Sequence, residues 1–493
     1  MSVQRGPVAR RRAGILLHPT SLPGPRENGD LGPDAHRFVD FLAEGGLSVW
    51  QTLPLGPTHD DGSPYQCLSA HAGNPRLVAL EPLAEAGWLD GVPEPPGDRE
   101  DAEAHTWKCL RSAHAGFLER ADGAAWEAFD AFCREKAHWL EAYALFMALR
   151  GEGERPWWEW SAPLRDRRSD ALEEAAGSRS GEMALHRFVQ WQFFEQWRAL
   201  KDYANERGIL LFGDLPIFVA HDSAEVWAHR ELFDLDQAGS TATVAGVPPD
   251  YFSETGQYWG NPHYRWDRIA ADGYAWWIER MRTQLELFDW VRIDHFRGFV
   301  AFWEVPEGQP ATEGRWVQGP GADFFRALEE ALGDLPLVAE DLGVITPEVT
   351  GLRERFGLPG MKILQFAFGG GPDNPYLPHH HQRDFVVYTG THDNNTTLGW
   401  WQEEVSGEVQ EEVREYLGYP GEPVPWPLVR AALASVGRTA VVPMQDLLGL
   451  DGRHRMNQPA TMEGNWQWRF RWEWVPEGLA SRLARLNRLY DRT

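Results

Sequence analysis

Basic charge, cysteine and long apolar runs are all scarce in this chain of 493 residues. Its 47 lysines and arginines are outnumbered by 73 aspartates and glutamates, for a formal net charge of -26. Nucleic acids and anionic membrane surfaces are bound through basic patches, so this balance argues against both as partners. Lysine is confined to Lys108, Lys136, Lys201 and Lys362, and the other cations are arginine. The three cysteines, Cys67, Cys109 and Cys133, are odd in number and far apart, with neither zinc-ligand spacing nor a disulfide framework. That usage fits a reducing compartment. No run approaches the ~18–20 apolar residues of a membrane-spanning helix. The apolar run at residues 15–17 follows Arg10-Arg11-Arg12 but stops at His18-Pro19, too soon for a signal-peptide core. A cytoplasmic location is therefore expected.

Core-forming residues are abundant, with 43% of the chain hydrophobic and 12% aromatic. The length exceeds a minimal domain of roughly 100–200 residues and suits a large α/β barrel with insertions. Short apolar runs closed by polar, Pro or Gly punctuation predict strands at 14–19, 48–53, 209–214, 289–294, 335–340, 361–366, 384–391 and 439–444. Helical spacing fills most of the intervals, as at 34–45, 324–332 and 347–356. A closing amphipathic helix carries Leu479, Leu483, Leu486 and Leu489 and is expected to pack on the exterior. Eight strand–helix units in series predict a (β/α)8 barrel, forming one catalytic domain over residues 1–493.

Two insertions are expected in that barrel, a helical subdomain over about 67–205 and a loop-rich one over about 220–285 covering the active site. The helical one carries aromatic stripes such as Phe188, Trp191, Phe194, Trp197, Leu200 and Tyr203. At spacings of three and four these read as core before they read as a sugar platform. Arg155-Pro156-Trp157-Trp158-Glu159-Trp160 interrupts the helical pattern and reads as a surface aromatic cluster.

In such barrels the chemistry sits at the C-terminal ends of the strands. Asp214, Asp294, Glu340 and Asp393 each follow a hydrophobic run and would converge on one mouth. Like charges brought together raise at least one pKa and so split acid from base roles. Around Asp294, Val291 and Ile293 alternate with Arg292 and Asp294, which puts the cation and the carboxylate on one strand face. Buried, the two must pair. Arg292 is then expected to lower the Asp294 pKa, as a nucleophilic carboxylate requires. A structural ion pair accounts for that stretch taken alone; the other carboxylates turn the reading towards chemistry. Two carboxyls flanking a glycosidic bond, ~5–5.5 Å apart in a retaining enzyme, are the minimum apparatus for glycosidic chemistry, whether the intermediate meets water or a sugar hydroxyl. No competing constellation is visible. His379-His380-His381 cannot share one ligand face, and Gly369-Gly370-Gly371 runs into Pro372 with no lysine to hold a phosphate.

Four segments resemble the signature segments of α-amylase-like barrels, in the form found in the 4-α-glucanotransferases (amylomaltase, or disproportionating enzyme). They are Asp214-Leu215-Pro216, Arg292-Ile293-Asp294-His295-Phe296-Arg297-Gly298, Ala339-Glu340-Asp341-Leu342-Gly343 and Thr391-His392-Asp393-Asn394-Asn395-Thr396. The resemblance continues through His18-Pro19-Thr20-Ser21, Ser63-Pro64-Tyr65-Gln66, Gly246-Val247-Pro248-Pro249-Asp250-Tyr251-Phe252-Ser253, Gly256-Gln257-Tyr258-Trp259-Gly260-Asn261-Pro262, Arg455-Met456-Asn457-Gln458-Pro459 and Gly464-Asn465-Trp466.

That resemblance implies Asp294 as nucleophile, Glu340 as general acid/base and Asp393 as the carboxylate gripping sugar hydroxyls. It implies that Arg292 holds Asp294 ionised, that His392 donates to a sugar hydroxyl, and that Asp214 supports the site. Substrate contacts are further implied at Tyr65, Asp250, Tyr251, Phe252, Gln257, Trp259, His295 and Asn465. The implied substrates are malto-oligosaccharides, amylose and starch or glycogen chains. Neither a cofactor nor a metal is expected, and the expected state is a monomer or weak homodimer. Residues 246–262 hold Pro, Gly and aromatics without periodicity and read as a loop that excludes water on the acceptor side, favouring transfer. A retaining α-glucan hydrolase and a catalytically silent glucan-binding barrel are the competing readings; intact Asp294, Glu340 and Asp393 speak against the second.

Overall fold

A computed structural model describes residues 9–24, 28–94, 99–151, 155–249, 253–461 and 463–493. Among these residues the strands are β1 (Arg12–Leu16), β2 (Val49–Gln51), β3 (Leu210–Leu215), β4 (Thr243–Val247), β5 (Gln257–Pro262), β6 (Trp290–Ile293), β7 (Ala301–Pro306), β8 (Arg315–Gln318), β9 (Leu337–Ala339), β10 (Gly360–Ile363), β11 (Phe385–Tyr388) and β12 (Thr439–Pro443). Eight of them pair in parallel in the order β10-β11-β12-β1-β2-β3-β6-β9. The ring closes where the Ala339 N–H of β9 donates to the Pro359 carbonyl just before β10, at 2.8 Å. The molecule is thus a (β/α)8 barrel, and each of the eight predicted barrel strands is present. Their apolar residues are buried on both sides, as a parallel sheet covered by helices requires.

Strand register prepares the site. In the β3–β6 ladder Asp214 lies directly opposite Arg292, so their side chains leave the sheet on the same face. Gly213, one residue earlier, is a packing requirement: a Cβ there would lie 2.1 Å from the Phe288 ring.

Residues 99–206 are mainly helical, and the long helix Ser180–Glu206 buries Phe188, Trp191, Phe194, Trp197 and Leu200. The aromatic stripe is core. Two glutamines on that helix grip the chain that follows β2. Gln190 exchanges hydrogen bonds with the Gly73 backbone at 2.7 and 2.8 Å, and Gln196 with Ala79 at 2.8 and 3.0 Å. The 155–160 cluster differs from expectation, because Trp157 is fully buried and its indole donates to the His221 carbonyl. The terminal helix Leu479–Leu489 packs Leu479, Leu483 and Leu486 against the outer helices Pro33–Glu44 and Trp426–Ala434, whereas Leu489, expected on the same face, is exposed.

The stretch 246–262 also departs from its reading as an aperiodic loop. Its two ends belong to β4 and β5, which join β7 and β8 in an antiparallel sheet ordered β5-β4-β7-β8. The pairing of β4 with β7 reaches across the whole of β6, so no local periodicity could announce it.

Candidate active site

The C-terminal ends of the barrel strands open into a cleft of about 330 Å³. Asp294, Glu340, Asp393 and Arg292 all line it, with Tyr65, Gln257, Trp259, His295 and Asn465. Asp250, Tyr251 and Phe252 lie outside the described residues.

Arg292 organises the floor. One Nη donates to Asp214 at 2.6 Å and the other lies 2.7 Å from Asp294. Asp214 is 1% exposed and does not line the cleft; it also accepts the Tyr65 hydroxyl at 2.7 Å. Asp214 therefore reaches the cleft only through Arg292 and Tyr65. Its two negative neighbours hold the Arg292 guanidinium well above its usual pKa despite burial.

Glu340 follows β9 and accepts two backbone N–H groups, from His295 at 2.7 Å and Leu342 at 2.8 Å. The first is aimed by an unusual backbone: His295 sits at φ 49°, the left-handed region that non-glycine residues avoid. Because His295 is the neighbour of Asp294, this bond ties the two carboxylate segments together. Burial and the facing charge of Asp294 push Glu340 up to about 8, against the pull of Arg292.

Asp294 departs from expectation. Burial, with Asp214 and Asp393 nearby, outweighs Arg292 and raises it to about 6 instead of lowering it. A guanidinium shared between two carboxylates cannot fully offset the desolvation of one of them. Asp393 goes the other way. Burial opposes its ionisation, but His392 and the Asn457 amide overcome that and bring it down to about 2. The Asn457 Nδ2 donates to it at 2.6 Å and His392 Nε2 lies 3.2 Å away. Three carboxyls in one cleft are thus spread over several pH units, the condition for separate acid and base roles.

His392 is nearly buried. It stands behind the cleft surface, stacked on Tyr65, with its Nε2 engaged by the Tyr65 hydroxyl (2.9 Å) as well as Asp393. His295 packs edge-on against Trp259 at 4.9 Å, and its Nε2 has no partner among the described residues. The Gln257 side chain accepts the Trp259 indole N–H, and Asn465 braces the rim by accepting the Gln458 N–H. The three consecutive histidines bond different partners, His379 the Tyr416 hydroxyl, His380 the Pro372 carbonyl and His381 the Tyr376 carbonyl, although the His379 and His380 rings lie 4.1 Å apart.

Sequence reasoning left Asn457, Arg455 and Trp316 without roles. Arg455 donates to the Asp393 carbonyl at 3.0 Å, so with Asn457 it fixes that residue from the 455–459 motif. The motif was visible, but nothing local tied it to Asp393. Trp316 carried no signal at all.

Comparison with known proteins places this geometry. The family described as 4-alpha-glucanotransferase matches residues 17–474. A 4-alpha-glucanotransferase of Thermus thermophilus is 54% identical over 93% of this chain and 94% of its own length. One from Synechocystis is 48% identical over 98% of each. The structure of an amylomaltase from Streptococcus agalactiae in complex with acarbose superposes with a TM-score of 0.93 at 37% identity, covering 98% of this chain and 100% of that one. With the barrel, the carboxylate cleft and these relatives in agreement, the chain belongs to the 4-alpha-glucanotransferase family, enzymes that move a segment of 1,4-linked glucan from a donor chain to the 4-hydroxyl of an acceptor.

Proposed function

We propose that the transfer runs as a retaining double displacement on Asp294 and Glu340. The Asp294 carboxylate attacks the anomeric carbon of the donor while Glu340 gives its proton to the departing glycosidic oxygen. The glycosidic bond breaks, and a glycosyl ester forms on Asp294. The acceptor 4-hydroxyl then attacks that carbon, Glu340 takes its proton, and Asp294 leaves as carboxylate. Arg292 keeps Asp294 available as an anion, and Asp393, positioned by Asn457, Arg455 and His392, grips sugar hydroxyls. The observation carrying this reading is the geometry: Asp294, 2.7 Å from Arg292, and Glu340, held by the His295 and Leu342 N–H groups, line one cleft, and burial beside Asp294 pushes the Glu340 pKa up so that it can carry the proton.

Malto-oligosaccharides are the proposed donors and acceptors, with amylose, starch or glycogen chains as longer donors. Trp259 and Gln257 on the cleft wall, from the sheet that includes β4 and β5, support water exclusion during transfer. A cytoplasmic setting is supported by the sequence's cysteine usage; among the described residues no helix is long and apolar enough to cross a membrane.

Maltotriose as sole substrate tests the reading. Longer oligosaccharides with glucose are expected, and Glu340→Gln should abolish them while leaving glucan binding in place. A Glu340→Gln enzyme that still transfers at the parent rate removes Glu340 from the mechanism.

A further inference from the structure

Two chemically different stretches of wall line the cleft. At one, Asp393 is held by Asn457, and the rim continues through Gln458, Asn465 and Trp466. At the other, the chain leaving Glu340 runs through Leu342, Gly343 and Val344, all lining the cleft, to Arg297 and Trp316. These contacts form one continuous wall. Leu342 donates its N–H to Glu340, Arg297 donates to the Val344 carbonyl, and the Arg297 guanidinium lies 3.6 Å from the centre of the Trp316 indole.

Trp316 stands out on that wall. It lies on β8, at the edge of the antiparallel sheet, opposite Trp303, whose ring meets it edge-on at 5.0 Å. Two neighbours therefore fix its plane, yet 40% of it remains exposed. A rigid indole left open inside a sugar-binding cleft is poorly explained as core, because burying it would be favourable by itself. Pyranose rings present C–H faces that pack on aromatic planes, and a fixed indole offers such a plane with little rotamer entropy to lose.

Which sugar it meets follows from the mechanism proposed above, on which this inference rests. The acid/base faces the linkage oxygen, so the ring beyond that oxygen lies on the Glu340 side, away from Asp393. We propose that Trp316 is a specificity-determining residue of the acceptor side: its indole stacks on an incoming glucan ring and favours capture of the glycosyl-enzyme by sugar over water.

The test uses an α-maltosyl fluoride donor, whose departing fluoride leaves the acceptor side empty, with glucose, maltose or maltotriose added as acceptor. Trp316→Leu keeps apolar bulk without a ring, and Trp316→Phe keeps a ring. In Trp316→Leu the half-saturating acceptor concentration should rise roughly tenfold, the size of one lost aromatic contact. The share of product formed with water should rise with it, and Trp316→Phe should recover most of both. The acceptor length at which the effect first appears locates the sugar. Parent-like acceptor saturation in Trp316→Leu overturns the proposal, and so does equal impairment in Leu and Phe, which would mark Trp316 as wall packing only. Failure of the underlying mechanism is read separately: fluoride release that survives in Asp294→Asn removes Asp294 as nucleophile, whereas the Trp316 proposal stands or falls on acceptor saturation and the share of product formed with water.

Discussion

Replacing Glu340 by Gln should reverse the order of stability between the two proteins as pH rises. Glu340 is 9% exposed, and its pKa stands at about 8 against an ordinary 4.5. The folded chain therefore holds a proton between those values that the unfolded chain has released. Stability contributed by this group is full below 4.5 and is lost as pH rises through 8. At about 1.4 kcal/mol per pKa unit the loss could reach about 5 kcal/mol, and ~2–5 kcal/mol after dielectric relaxation. Glutamine has no such proton to lose. It carries a constant penalty instead, because its NH2 must face one of the two N–H groups of His295 and Leu342, costing about 1–3 kcal/mol. The variant should be the less stable protein at pH 5 and the more stable one at pH 9. Urea unfolding of both across that range measures the difference, in which the constant offset drops out. Infrared difference spectra supply a direct check, since a protonated carboxyl band should vanish in the parent between pH 7 and 9 and be missing in the variant. Stability curves that run parallel, or a carboxyl band that titrates near 4.5, would refute the reasoning.

Other outcomes follow from the same geometry. The kcat/KM of the free enzyme should trace a bell, rising as Asp294 loses its proton at about 6 and falling as Glu340 loses its own at about 8; a profile flat from pH 5 to 9 would contradict the assignment. Asn457→Leu removes a hydrogen bond to a charged Asp393, so kcat should drop about ten- to hundredfold, and the unfolding midpoint at neutral pH should fall with it because the Asp393 carboxylate loses a group that holds it ionised. Gly213→Ala drives a Cβ into the Phe288 ring and should lower stability by about 1–3 kcal/mol, read as a fall in Tm; an unchanged Tm would show that Phe288 yields freely.

The sequence by itself determined the barrel and the acidic composition of its mouth. Short apolar runs such as Val291 to Ile293 are local events, and their count, spacing and polar closure at Asp294 or Glu340 survive any packing. Tertiary structure decided what those carboxyls are chemically. Arg292 lies two residues from Asp294 in the chain, but the β3–β6 register also gives it Asp214, and burial of the group then moves Asp294 upward where a pair alone would move it down. The sheet of β4, β5, β7 and β8, the hold of Asn457 on Asp393 and the exposure of Trp316 belong to the same class. Each depends on strands or loops brought together across long stretches of chain, and desolvation and long-range pairing have no local period from which they could be read.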